Sequence, residues 1–390
     1  MSRKVRLAVV GIGLRGEWAA QTLARREDAE VVALCDGMPA KAEWVRQQNH
    51  LDSAKVFDNV PAMLSGVDCE GVIVTTSDAH HAEAVVPALE AGRFVYCEKP
   101  LEVSLQRCRA IIEADDRAGG KVFAGHNLRY APLYEQVKRR VQEGQVGRVL
   151  TIQADEFYQG GRTYFRRWNR LRSEGGGLWI TKACHDFDII AWLADAEPVE
   201  VYAADARTHF VPRTGAALRC RDCKLQDTCV DRAPADVHPL RRIHEEQGGS
   251  PPDLCLYNSD GDTFDHGIAT IRFNNDAVAT YTCNVVSGFT DRRLRVSGSE
   301  GTIDGHLEGR SITRCDRKTA RTEELDLEIK EWSEHGGADH RVLDGFVQFI
   351  RGEAPPRCRP RDALLAVRMG LAARHSADTH SVARLGDFNV

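Results

Sequence analysis

The chain has 390 residues, 42% of them hydrophobic and 28% charged, with a formal net charge of −5. That length exceeds one ordinary core and implies two domains. The balance is that of a globular protein, with no basic footprint for nucleic acid. No apolar run reaches the roughly 20 residues needed to span a bilayer, and Met1 to Lys4 lead straight toward a strand with no apolar leader. Most of the twelve cysteines sit singly in apolar surroundings (Cys35, Cys97, Cys184, Cys283), as small buried hydrophobes do. A reducing, cytoplasmic setting is therefore expected.

Val5 to Val10 is a continuous apolar run, short enough for a buried parallel strand. It enters Gly11-Ile12-Gly13-Leu14-Arg15-Gly16, after which Trp18 to Ala24 carry helical spacing. Strand Val31 to Cys35 follows, then a helix, strand Gly71 to Thr76, helix Ala79 to Ala91, strand Arg93 to Cys97, helix Ser104 to Ala118 and strand Lys121 to Gly125. Such alternation implies right-handed crossovers and an N-terminal Rossmann doubly wound parallel sheet, over residues 1–127.

Residues 128–390 have a different texture and read as a second domain. Val149 to Phe157, Val199 to Ala206, Ile268 to Phe273, Val278 to Val285 and Leu294 to Ser297 read as strands, with Asn274-Asn275-Asp276 as a hairpin turn. The expectation is an α+β domain with a large open, mostly antiparallel sheet and a helix starting near Thr181. Residues 207–262, rich in Arg, Pro, Gly and Cys, read as an insertion. The last helices, about His340 to Arg351 and Arg361 to Ser376, have no evident seat.

Gly11, Gly13 and Gly16 have the spacing of a dinucleotide-binding turn: a tight bend, close backbone approach to a pyrophosphate, then close helix–strand contact. Asp36, at the end of the second strand, would accept from a ribose 2′-hydroxyl and repel a 2′-phosphate, favouring NAD over NADP. Thr76 and Ser77 close the third strand and face the ligand crevice, where His81 either lines the groove or serves as a structural neighbour. Glu98-Lys99-Pro100 ends the next strand. Proline keeps Lys99 out of the α region, and a lysine at that edge can stabilise charge on a substrate oxygen; a surface lysine paired with Glu98 is the plainer alternative.

These pieces together resemble the Gfo/Idh/MocA family of oxidoreductases. The resemblance rests on the glycine turn, Thr76 to His81, Glu98-Lys99-Pro100, the stretch from Gly125 to Pro132, and Gly175-Gly176-Gly177 through Asp188. It implies NAD(P)-dependent oxidation or reduction of sugars and polyols, association as homodimers or homotetramers through the open sheet, and C-terminal helices that pack back on the first domain. By the same resemblance His185 is the acid/base, Lys99 steadies the substrate oxygen, and Asn127 and Trp168 lie near cofactor or substrate. Thr181 stands where the family usually has Asp, and Lys182, three residues before His185, is a candidate to replace part of its polar function. Tyr158, Arg162 and Tyr164 are further pocket candidates, and Asp265-His266 is either a second polar pair or a strand start.

Three functions fit this reading. The first is an NAD-dependent dehydrogenase of a sugar, polyol or glycoside. The second is a glycoside hydrolase working by oxidation, elimination, hydration and reduction, with Lys182, Tyr158 or Asp265 as an added base. The third is a catalytically silent NAD-binding regulator, against which Lys99 and His185 both argue. Separately, Cys220, Cys223, Cys229 and Cys255 have spacing suited to a structural zinc ion, with an iron–sulfur cluster and free thiols as alternatives.

Overall fold

The computed structural model describes residues 3–327, 329 and 334–389. Six strands, β1 (Val5–Val10), β2 (Ala29–Cys35), β3 (Lys55–Phe57), β4 (Gly71–Val74), β5 (Phe94–Glu98) and β6 (Val122–Gly125), form one parallel sheet ordered β3-β2-β1-β4-β5-β6. Helices cover both faces, which is why β1, β4 and β6 are apolar and buried almost throughout. The chain order reverses between β1 and β4, and a crevice opens beyond the carboxyl ends of such neighbours.

Nine strands build the second sheet. They are β7 (Val149–Phe157), β8 (Pro198–Ala206), β9 (His266–Phe273), β10 (Val278–Asn284), β11 (Asp291–Gly298), β12 (Gly301–His306), β13 (Ser311–Asp316), β14 (Thr322–Asp326) and β15 (Ala383–Arg384). Their order is β14-β13-β12-β11-β7-β10-β9-β8-β15, antiparallel except where β10 pairs with β7. Burial alternates strictly along β9 and β10, as on a sheet with one covered face. Helices Cys184–Ala194 and Pro360–Thr379 pack on that face. On the other, Leu150, Tyr202, Ile268 and Val278 stand 38 to 58% exposed.

Some expected elements differ in detail. The β9–β10 turn is closed by Asp276 in the left-handed region, and Phe273 N donates to Ala277 O. The single helix expected from Thr181 is two pieces, Leu178–Thr181 and Cys184–Ala194. Between them Ala183 N reaches back five residues to Leu178 O at 2.9 Å, a wide turn that places Lys182 outside the helix proper. Strands β12 to β14 were not expected: they are short, and β14 is mostly exposed, so no apolar alternation marks it.

The last helices do find seats. Ala338–Ile350 lays Phe346 against Tyr96 and Phe123, each 5.8 Å between ring centroids. Pro360–Thr379 runs between helix Leu105–Ala118 and β8, with Arg361 2.7 Å from Asp116. The chain between β8 and β9 carries helix Pro239–Glu246, which packs on the Rossmann helix Pro39–Gln48.

Candidate active site

One cavity of about 1330 Å³ runs from the glycine turn past the ends of β1, β4 and β5 to the wide turn at Lys182. The three glycines do different work. Gly11 has φ +89, and a Cβ there would fall 2.4 Å from Thr76 N; at Gly16 it would fall 2.3 Å from Gly11 O. Both are fixed by close backbone packing. At Gly13 nothing lies within 4 Å of such an atom, and the residue borders the cavity. That open approach at a helix N-terminus fits a diphosphate.

Asp36 Oδ2 accepts from Ile12 N at 2.7 Å and Oδ1 from Met38 N at 2.8 Å, with Lys41 Nζ 3.5 Å away. The carboxylate thus braces the turn and borders the cavity at the position expected for a ribose contact. Leu14, Arg15, Thr76, Ser77, Asn127 and Trp168 also border it. Arg15 Nε donates to Glu98 at 2.5 Å and a second nitrogen to Asp339 at 3.2 Å. Asn127 Nδ2 donates to the same Asp339 oxygen at 2.6 Å, and His335 Nδ1 lies 3.1 Å from the other. His81 is fully buried, its ring nitrogens 2.9 Å from Pro100 O and 3.3 Å from Thr76 O. Its hydrogen bonds therefore link β4 to the chain after β5.

Glu98 Oε2 accepts from Lys99 N, and a cis peptide joins Lys99 to Pro100. Lys99 Nζ donates to Thr181 O at 3.1 Å. The wide turn leaves that carbonyl without a helical donor, so a lysine from one sheet can claim it. Burial works against the Lys99 charge, but the surrounding groups, Asp78 and Glu98 among them, together more than offset it and hold the pKa above the usual lysine range.

His185 enters from the first turn of Cys184–Ala194, 4% exposed, with Nδ1 lacking any hydrogen-bond partner. Burial, then the positive charges of Lys99 and Arg292, push its pKa well below the usual imidazole value. It is a neutral imidazole at neutral pH. His335 packs beside it, 5.5 Å between centroids.

Lys182 borders the same cavity but is already engaged. Its Nζ lies 2.8 Å from Glu156 and 3.9 Å above the Tyr158 ring. Arg292 pairs with Glu156 and, at 3.2 Å, with Asp186, which also accepts from Tyr281 OH at 3.0 Å. Tyr164 borders the cavity, whereas Arg162 does not. Asp265 is spent on backbone: its carboxylate accepts from the N–H groups of Thr208, His209 and Phe210 and pairs with His266 at β9's start.

Sequence alone assigns no site role to Asp78, Glu156, Arg292, His335 or Asp339, and reads Arg292-Arg293 as a solvated face or anion contact, whereas Arg292 is 5% exposed. Asp78 follows Ser77, is 5% exposed, borders the cavity and leaves Oδ2 without a partner. Burial drives its pKa up to about 7, moderated by Lys99 and by a hydrogen bond from the Thr181 side chain. Adjacency to the Thr-Thr-Ser strand end was an available signal. Nothing local distinguishes Glu156 or Arg292 from ordinary strand charges.

Comparison with known proteins agrees with this layout. Residues 5–126 match the family model described as oxidoreductase family, NAD-binding Rossmann fold, and residues 138–385 its C-terminal alpha/beta domain. Oxidoreductase YteT of Bacillus subtilis is 27% identical over 257 residues, 60% of this chain and 60% of its own length. Myo-inositol 2-dehydrogenase of Thermotoga maritima is 23% identical over 380 residues, 96% of each chain. Among solved structures, the dehydrogenase WlbA of Chromobacterium violaceum, in complex with NADH and UDP-GlcNAcA, superposes with a TM-score of 0.73 at 18% identity, covering 98% of this chain and 96% of its own. Its likeness is one of fold.

Proposed function

Because the chain belongs to the Gfo/Idh/MocA oxidoreductase family, we propose that it moves a hydride between NAD and a secondary alcohol of a sugar, polyol or glycoside. The observation that carries this reading is the single cavity bordered at one end by Gly13 and Asp36 and at the other by Lys99 and His185. Asp36 favours NAD over NADP, since its carboxylate suits a ribose hydroxyl and repels a phosphate.

When bound, NAD supplies the hydride acceptor or donor. The protein's own part is acid–base and electrostatic. Lys99 donates a hydrogen bond to the reacting oxygen and offsets its developing charge. His185, neutral before reaction, takes the hydroxyl proton in the oxidative direction and returns it in the reductive one. Asp78 holds the Lys99 ammonium in place from the Rossmann side. Lys182, fixed by Glu156, presents its remaining N–H donors and the Tyr158 hydroxyl to the substrate's other oxygens.

The test is a panel of inositols, sugars and glycosides with NAD, followed by absorbance, on the wild type and on Lys99→Ala and His185→Ala. Each variant should lose about 10²- to 10⁴-fold in kcat while binding NAD normally. Unchanged turnover in either would remove its role.

A redox-assisted glycoside cleavage uses the same site and adds a second base. Asp78, a carboxyl with pKa near 7 inside the cavity, favours that reading; Asp265 is tied to backbone instead. Aglycone release with no net NADH would select it over the dehydrogenase. Four exposed apolar side chains on the open sheet face support a homodimer or homotetramer, to be read by sedimentation. Twelve cysteines without a disulfide accord with a cytoplasmic setting.

A further inference from the structure

The insertion contains a second, separate cavity, small and enclosed, whose wall includes Cys220, Cys223, Cys229 and Cys255. None of the four is in a disulfide. Two local devices gather them. Cys220 and Cys223 sit on one tight turn, Cys223 N donating to Cys220 O. An antiparallel bridge between Arg219 and Leu254 brings in Cys255: Cys220 N donates to Asp253 O at 2.9 Å and Cys255 N to Leu218 O at 2.8 Å. Ala233 N, 3.4 Å from Cys220 Sγ, donates to the sulfur, a contact that favours thiolate.

The spacing between sulfurs decides the guest. One tetrahedral zinc ion with bonds of 2.3 Å would draw its thiolates to about 3.8 Å apart. Among the described residues, the only group of three or more His, Cys, Asp or Glu whose ligand atoms lie within 4.8 Å of one another is His126, Asp188 and Cys358. No three of the insertion's sulfurs are that close, although all four face one hollow. His126, Asp188 and Cys358 are themselves a poor cation site, because Arg129 already grips both Asp188 oxygens, at 2.7 and 2.9 Å.

The charge around the hollow points the same way. Arg213 and Arg232 stand on its wall, and Arg166 faces Cys220 and Cys255. A group bound by four thiolates carries net negative charge, and these guanidinium groups compensate it. Leu225, Ala216 and Tyr257 complete an apolar shell, which limits solvent access to the group within.

We propose that Cys220, Cys223, Cys229 and Cys255 ligate a four-iron iron–sulfur cluster rather than a single zinc ion. The cluster cross-links a segment that buries few apolar side chains of its own, Phe210, Leu240, Leu254 and Leu256 among them. It also fixes one wall of the active-site cavity: Arg166 Nε donates to Leu254 O and another nitrogen to Asp231 O, both at 2.9 Å, and Arg166 to Trp168 border that cavity. Its role is structural, and no electron passes through it in the proposed reaction.

The full chain, expressed with supplied iron and purified without oxygen, tests this directly. Iron, acid-labile sulfide and zinc are quantified, and the visible spectrum is taken before and after dithionite. The expected result is about four iron and four sulfide per chain, with a broad visible absorption that bleaches on reduction. The Cys223→Ser, Cys229→Ser double variant should lose both. One zinc per chain without sulfide, or no metal at all, would overturn the assignment, and because those measurements use the unaltered protein, they stand even if the variant fails to fold.

Discussion

Lys99 Nζ donates to the backbone carbonyl of Thr181 at 3.1 Å, joining the end of a Rossmann strand to the wide turn below the second sheet. A threonine thus serves where a carboxylate was expected, through its main chain. The carboxylate itself comes from elsewhere: Asp78, hydrogen-bonded by the Thr181 side chain and acting on Lys99.

If Asp78 positions Lys99, its ionisation should shape the rate. With a pKa of about 7, Asp78 is anionic above neutrality, so kcat/KM should rise through pH 7 in the wild type. Asp78→Asn should remove that step and lower kcat about tenfold or more, with NAD affinity nearly unchanged. A pH profile of kcat/KM that is the same in both proteins would defeat the assignment.

Coenzyme choice rests on Asp36 and its neighbour. Removing the carboxylate in Asp36→Ser deletes a charged hydrogen bond to the ribose and leaves Lys41, now 3.5 Å from that carboxylate, free to meet a 2′-phosphate. Activity with NAD should fall about 10- to 100-fold, and activity with NADP should rise. Steady-state kinetics with both coenzymes check this; an unaltered ratio would place the ribose elsewhere.

Gly11 and Gly13 should separate folding from binding. Gly13→Ala meets nothing in the free chain, so thermal stability should hold while NAD affinity drops at least about tenfold, since the methyl group enters the diphosphate approach. Gly11→Ala, with positive φ and a backbone clash, should destabilise by about 1 kcal/mol or more. Calorimetry and NAD titration together decide.

His126 should make stability depend on pH. It is buried, neither ring nitrogen has a hydrogen-bond partner, and burial lowers its pKa. Below about 6.5 the unfolded imidazole takes up a proton that the folded one refuses, so folding is opposed as pH falls. His126→Leu is free of this term. Its stability relative to wild type should grow by at most about 1.4 kcal/mol per pH unit between pH 6.5 and the folded pKa, measured by urea unfolding. A gap independent of pH would contradict the buried neutral assignment.

The Rossmann half was legible because each feature is local. An apolar run such as Val5–Val10, a glycine turn with a geometric reason, and Asp36 at a strand end all fall within a few residues. The second sheet was legible only where one face is dry: β9 and β10 alternate cleanly, whereas β13 and β14 are short and polar. Lys99 and His185 could be singled out through order along the chain. Asp339 and Arg292 could not, since each acquires meaning from a partner more than one hundred residues away, Arg15 and Asp186 respectively. Sequence spacing puts Lys182 and His185 on one unbroken helix, whereas the turn at Ala183 sets the lysine outside it.

Helix Pro360–Thr379 is wedged between a Rossmann helix and β8, and Cys358 O, just before it, accepts from Ala124 N in β6. A chain stitched across both sheets in this way opposes a wide, jaw-like parting of the two halves. Small adjustments in the segments around Tyr158 to Trp168 and in the insertion would then suffice to admit a guest, into a mould largely cast before anything arrives.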